Sequence, residues 1–233
     1  MKRIASFLIP LAALYVLTLP AAAQTQYRFE VFAGMTFPLD KNFEIGYPQA
    51  SPPMQLTQEF SPGARGGVRL GVDGTGHWGM DLSYGYGANA AKVVNRTNNA
   101  DFAFTPRIHQ AAWNLLWYPG GLSVRPGTFP YLTAGIGGTI HTVTRGAVNQ
   151  ALDPTMAGIG RLRSVNSFAF NAGGGIRMRL RDRYGIRFDI RDYMTKGINW
   201  GLPKTSDDPN AVVFPAVGLQ HQFEVSFAFI YYF

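Results

Sequence analysis

The chain has 233 residues, 27 of them glycine, with 14% aromatic and only 15% charged side chains, and it contains no cysteine. That excludes a disulfide framework, a thiolate metal site, a catalytic thiol and a lipid anchor attached at a leader-junction cysteine. The formal charge of +7 points to nucleic acid only where basic residues form a patch. Here the arginines are spread at alternate positions along strands, so no nucleic-acid partner is expected.

The first element is an export leader. Lys2 and Arg3 supply a basic start, Ile4–Leu19 an apolar stretch, and Ala21, Ala22 and Ala23 the small residues a signal peptidase reads. The stretch has 16 residues, short of the roughly 20 that a spanning helix needs. Cleavage is expected after Ala23, with Ala21 and Ala23 as its determinants. This divides the chain into a signal peptide, 1–23, and a domain, 24–233. Losing Lys2 and Arg3 takes the formal charge from +7 to +5. No other apolar stretch approaches a membrane-helix length, so an exported chain this apolar is either soluble or spans as a closed barrel.

Period-two alternation, the strand signal, marks eight segments at 27–37, 63–72, 78–88, 104–117, 130–140, 166–180, 184–194 and 220–233. Each reaches the 9–11 residues of a tilted membrane strand. In the third, Trp78, Met80, Leu82, Tyr84 and Tyr86 oppose Gly79, Asp81, Ser83, Gly85 and Gly87. In the seventh, Ile186, Phe188 and Ile190 oppose Arg187, Asp189 and Arg191. The fourth and fifth carry apolar residues on both faces. The connections after strands two, four and six are short (Asp73–His77, Tyr118–Phe129, Arg181–Arg183). Those after one, three, five and seven are long (38–62, 89–103, 141–165, 195–219). This is the asymmetry of an outer-membrane barrel with short periplasmic turns and long extracellular loops. The fold class expected is all-β, an eight-stranded antiparallel up-and-down transmembrane barrel.

A soluble eight-stranded barrel would alternate as well, with its apolar face inward. The second face separates the two. It holds Gly, Ser, Ala, Asn, Arg and Asp rather than a varied soluble exterior, which suits a lumen only wide enough for side chains to fill. Arg28, Arg65 and Arg179 fall near predicted strand ends. Setting them aside, Arg69, Arg177, Arg187 and Arg191 face Glu30, Asp81, Asp189 and Glu224. Buried charges persist only when paired, and these form a candidate lumen network. A first turn centred on Thr75 would put Arg69 directly across from Asp81.

The last strand, Gln222 to Phe233, ends on a terminal Phe with Phe227, Phe229 and Tyr231 at alternate positions before it. It resembles the C-terminal signature by which the barrel-assembly machinery recognises its clients. The segment Phe168–Tyr193, with Asn171, Gly173–Gly175 and Arg187-Phe188-Asp189-Ile190-Arg191-Asp192-Tyr193, resembles the small outer-membrane β-barrel family. That family is akin to the transmembrane domain of outer membrane protein A and to opacity-type proteins. The resemblance covers the whole chain after the leader in layout and the last three strands in wording. It implies an outer-membrane location, and as partners outer-membrane lipid and lipopolysaccharide, the assembly machinery and periplasmic chaperones. The sequence stops at the barrel, so the family's peptidoglycan-binding domain is not expected.

No cofactor or metal is called for. Gly173–Gly175 and Gly135/Gly137/Gly138 lack the Lys-Ser/Thr and following helix of a phosphate loop; lumen packing accounts for them. Asp73-Gly74-Thr75-Gly76 lacks the remaining ligands of a calcium loop and reads as a tight turn. Asn95-Arg96-Thr97 matches a glycosylation sequon by pattern only. The histidines, 77, 109, 141 and 221, have no metal-ligand spacing. His109 shares a face with Trp113, Leu115 and Trp117. It raises an alternative, because lipid A deacylases use an outward His and Ser on such barrels, but Ala111 stands where the Ser is required. Two aromatic girdles are expected: Trp78, Trp117, Tyr118, Tyr131, Tyr231 and Phe233 on the periplasmic side, and Phe37, Tyr86, Phe102, Phe104, Tyr193 and Trp200 outside. The function expected is non-enzymatic: envelope integrity, or binding of a partner that the sequence does not identify through four extracellular loops. Lipid A modification and a narrow pore are the alternatives.

Overall fold

The computed structural model describes residues 25–39, 41–43, 56–74, 76–95, 100–152, 161–201 and 218–233. The leader 1–23, with Ala21 and Ala23, lies outside the described residues. Among these residues are twelve strands: β1 (Gln26–Pro38), β2 (Lys41–Phe43), β3 (Leu56–Phe60), β4 (Gly63–Asp73), β5 (Gly76–Ala88), β6 (Ala91–Asn95), β7 (Ala100–Phe104), β8 (Arg107–Leu122), β9 (Gly127–Thr142), β10 (Val165–Arg179), β11 (Tyr184–Lys196) and β12 (Leu219–Tyr232). One helix, α1 (Arg145–Leu152), follows β9.

Eight of the strands close into a barrel in the order β1-β12-β11-β10-β9-β8-β5-β4, every neighbour antiparallel. Closure pairs the first and last strands, Glu30 lying opposite Ile230 and Thr36 opposite Glu224. No open edge is left in the hydrocarbon layer, where an unpaired backbone group would cost several kcal/mol.

Alternation sets the two faces. Val31, Leu70, Phe188, Ile190, Phe227 and Phe229 stand on the exterior, each exposed, while Glu30, Arg69, Arg187, Asp189, Arg191 and Glu224 between them are buried. A protein whose large apolar groups are outside and whose charges are inside is built for lipid, not water. The soluble-barrel reading is thereby excluded.

Three features depart from the pattern read in the sequence. The first two long connections are not plain loops: β2, β3, β6 and β7 rise from them as a separate four-stranded sheet, order β2-β3-β6-β7. The connection 118–129 is shorter than expected, because β8 runs to Leu122 and β9 starts at Gly127. The β4–β5 turn is not centred on Thr75. Asp73 pairs with Gly79, Gly71 with Asp81 and Arg69 with Ser83, so Asp81 is not across from Arg69. Gly76, at the centre of the turn, has a φ of +103°, open to glycine and strained for other residues.

Candidate functional site: a charged lumen

The barrel interior is an ionic column. Among the described residues seven arginines are buried (28, 65, 69, 177, 179, 187 and 191) with five carboxylates (Glu30, Asp73, Asp81, Asp189 and Glu224). All eight residues proposed from the sequence are among them. The sequence reading missed four. Arg28, Arg65 and Arg179 stand near strand ends, yet β1 and β4 begin before Arg28 and Arg65, β10 runs as far as Arg179, and all three keep the inward phase. Asp73 was read as a turn residue, but it is the last residue of β4 and points inward.

Asp189 on β11 is the hub. Its carboxylate takes the Arg69 guanidinium at 3.0 Å, Arg187 at 2.8 Å and Arg191 at 3.2 Å, and it accepts the Tyr131 hydroxyl. Arg187 reaches across the lumen to Glu30 at 3.1 Å and Asp81 at 2.9 Å. Towards the periplasm, Asp73 is shared by Arg28 and by Arg177, the latter at 2.7 Å, and Arg28 also holds Glu30 at 2.7 Å. Towards the outside, Glu224 answers Arg65 at 3.0 Å and Arg69 at 3.5 Å.

The column is balanced where it is driest. Arg28, Arg69, Arg177, Arg187 and Arg191 are 0–1% exposed, five cations for the five carboxylates. The two remaining arginines, Arg65 and Arg179, are each 6% exposed and lie at the column's outer and periplasmic ends. The excess of positive charge is cheapest there, because the cost of burial falls as water comes closer.

Aromatic rings pack between the guanidinium groups, which corrects the girdle assignment. Tyr118 and Tyr131, placed in the periplasmic girdle by sequence, face inward and are buried. The Arg177 and Arg187 guanidinium carbons stand 5.0 and 4.7 Å from their ring centres, within cation–π range. Tyr193, assigned to the outer girdle, is likewise inside, under Arg65 at 5.0 Å. Trp200 and Phe104, also given to that girdle, are buried together at the extracellular end, their rings edge-on at 4.9 Å, with His141 6.0 Å from Trp200. Each follows the phase of its strand or the packing of its loop, which a list of aromatics near strand ends does not encode. Trp78, Trp117, Phe233, Phe37 and Tyr86 are exposed, as girdle residues should be; the Phe102 side chain lies outside the described set. Of the terminal-strand residues, Phe227, Phe229 and Phe233 stand exposed on the outer face, with Tyr231 half-buried between them.

With the closed barrel, the lipid-type exterior and the ionic interior in place, comparison with known proteins is decisive. A family model described as outer membrane protein beta-barrel domain matches residues 9–225. The chain belongs to that family. As a member it is an outer-membrane protein, with the barrel embedded in that membrane. Among solved structures it resembles the outer membrane protein OprG from Pseudomonas aeruginosa, at 16% identity and a TM-score of 0.56, over 91% of this chain and 96% of that one. That likeness is one of fold. Lower scores relate it to the N-terminal β-barrel domain of Pseudomonas aeruginosa OprF (12% identity, TM-score 0.44, 90% and 100% coverage). They also relate it to Ail of Yersinia pestis, solved with the heparin analogue sucrose octasulfate (9%, 0.41, 90% and 99%). No curated protein matches the chain.

Proposed function

We propose that this family member is a non-enzymatic, non-conducting barrel that stabilises the outer membrane and presents its extracellular connections to external partners. The observation that carries the reading is the ionic column: buried guanidinium, carboxylate and phenol groups hold one another across the lumen, in a barrel whose eight strands enclose a space only wide enough for side chains to fill. The extracellular end adds a second obstruction in Trp200, Phe104 and His141. The lipid A-modifying alternative needs an outward serine beside His109. His109 Nδ1 instead pairs with the Tyr84 hydroxyl at 2.8 Å, and Ala111 occupies the next outward position of β8. Binding through connections held on a rigid scaffold is the usual arrangement for such proteins.

On this reading residues 1–23 direct export, periplasmic chaperones deliver the chain, and the barrel-assembly machinery takes β12 by Phe227, Phe229, Tyr231 and Phe233. A gene-deletion strain tests the proposal. It should show raised sensitivity to detergent with an unchanged lipid A acylation pattern; an altered pattern restored by complementation would establish the enzyme reading instead. Deleting Phe233 should slow insertion into lipid vesicles, read by the changed gel migration of the folded form.

A further inference from the structure

Two histidines stand on the outward face near the extracellular end of the barrel, and they are answered differently. His221 on β12 pairs through Nδ1 with Asp192 on β11 at 2.7 Å, so that side of the rim neutralises itself. His109 on β8 has no carboxylate partner among the described residues. The Tyr84 hydroxyl meets its Nδ1 at 2.8 Å, and the Tyr86 ring lies against it with centroids 5.0 Å apart. With that hydroxyl donating to Nδ1, the neutral ring carries its proton on Nε2, across the ring from Tyr84.

Arg107 sits one outward position above His109, at the extracellular start of β8, opposite Ala88 on β5 and Thr142 on β9. It is exposed and has no ion-pair partner among the described residues. No Asp or Glu occupies an outward position of β5, β8 or β9. Tyr84 and Tyr86, both exposed, place two phenols against His109, the next outward residue of β8 below Arg107. A cation on the lipid face of a barrel is tolerated at the interfacial level and penalised deeper in. An unpaired one there calls for an anionic headgroup, and arginine matches phosphate with two parallel N–H donors.

We propose that Arg107, His109, Tyr84 and Tyr86 form a docking surface for a phosphate of lipid A, the phosphorylated glycolipid of the outer leaflet. Arg107 grips the phosphate, His109 Nε2–H donates to it, and the two tyrosine rings pack against the sugar. The surface is separate from the lumen and does not depend on whether the barrel is sealed.

Native mass spectrometry of the folded chain in detergent tests this, with bisphosphorylated lipid A as probe. The same lipid stripped of its phosphates, phosphatidylglycerol and inorganic phosphate are the comparison arms. Lipid A should bind more tightly than all three, and R107Q should weaken it about tenfold, the scale of one lost charge-assisted contact. K196Q, which removes an exposed cation at the extracellular end of β11, should leave binding unchanged. Equal binding by R107Q overturns the proposal. So does equal binding of dephosphorylated lipid or phosphatidylglycerol, or full displacement of lipid A by inorganic phosphate. Should R107Q fail to fold, H109Q takes its place: weakened binding is the expected result, and unchanged binding overturns the assignment.

Discussion

The two walls of the lumen are chemically unlike. The wall formed by β10, β11, β12, β1 and β4 carries all seven buried arginines and four of the five buried carboxylates, with Asp81 on β5 at its margin. The facing wall, β8 and β9, turns inward Ile108, Gln110, Ala112, Asn114, Leu116 and Tyr118, then Tyr131, Thr133, Gly135, Gly137, Thr139 and His141. It contributes no Arg, Asp or Glu to the interior. A narrow barrel cannot take long charged side chains from every strand. One wall supplies the arginines, and the other supplies small residues, a few amides and two phenols against which they lie.

The contrast predicts where the molecule breaks. Asp189→Ala removes the carboxylate that holds Arg69, Arg187 and Arg191 and leaves their charges buried and short of a partner. The loss should be about 3–5 kcal/mol, the usual cost of breaking a buried pair from one side, measured by urea unfolding in lipid vesicles. A loss under about 1 kcal/mol would mean that the column is not what holds this wall together.

The same contrast explains what the sequence could disclose. On β5, β10, β11 and β12 large apolar residues alternate with charged or small ones, so phase is unambiguous and six of the eight network residues can be read directly; Glu30 between Phe29 and Val31 on β1 and Arg69 between Val68 and Leu70 on β4 follow the same alternation. On β8 and β9 the inward positions include Ile108, Leu116 and Tyr131, so both faces look apolar, and Tyr118 and Tyr131 were assigned to lipid. The remaining errors concern ends. Arg28, Arg65, Arg179 and Asp73 lie where local pattern cannot say whether a strand has stopped. The β4–β5 register depends on a glycine at positive φ that no alternation reveals. Strands β2, β3, β6 and β7 were missed because they are only three to five residues long, too short for a period of two to stand out.

The neutral wall should respond to size more than to charge. A Cβ on Gly137 would collide with the Ala111 carbonyl and lie 2.7 Å from the Ala112 Cα, both backbone and unable to yield freely. Gly137→Ala should cost about 1–3 kcal/mol as overpacking, in the same unfolding assay. A neutral effect would show that β8 and β9 separate more easily than their register implies.

Gln110 should respond least, and in the opposite direction. It is buried on β8, and neither its Nε2 nor its Oε1 has a hydrogen-bond partner among the described residues. Gln110→Leu exchanges two unanswered polar atoms for an apolar group of similar shape, which is nearly neutral or stabilising. The change should lie within about 1 kcal/mol of zero. A loss as large as that of Asp189→Ala would erase the distinction between the walls.

The central claim, that the charged wall seals the lumen, is tested most directly by planar-bilayer recording of the unmodified barrel. The structure predicts almost no steady current, with leak appearing when Arg69, Arg187 and Arg191 are replaced together by alanine. A large, stable conductance in the unmodified protein would contradict the sealed lumen and establish a pore in its place.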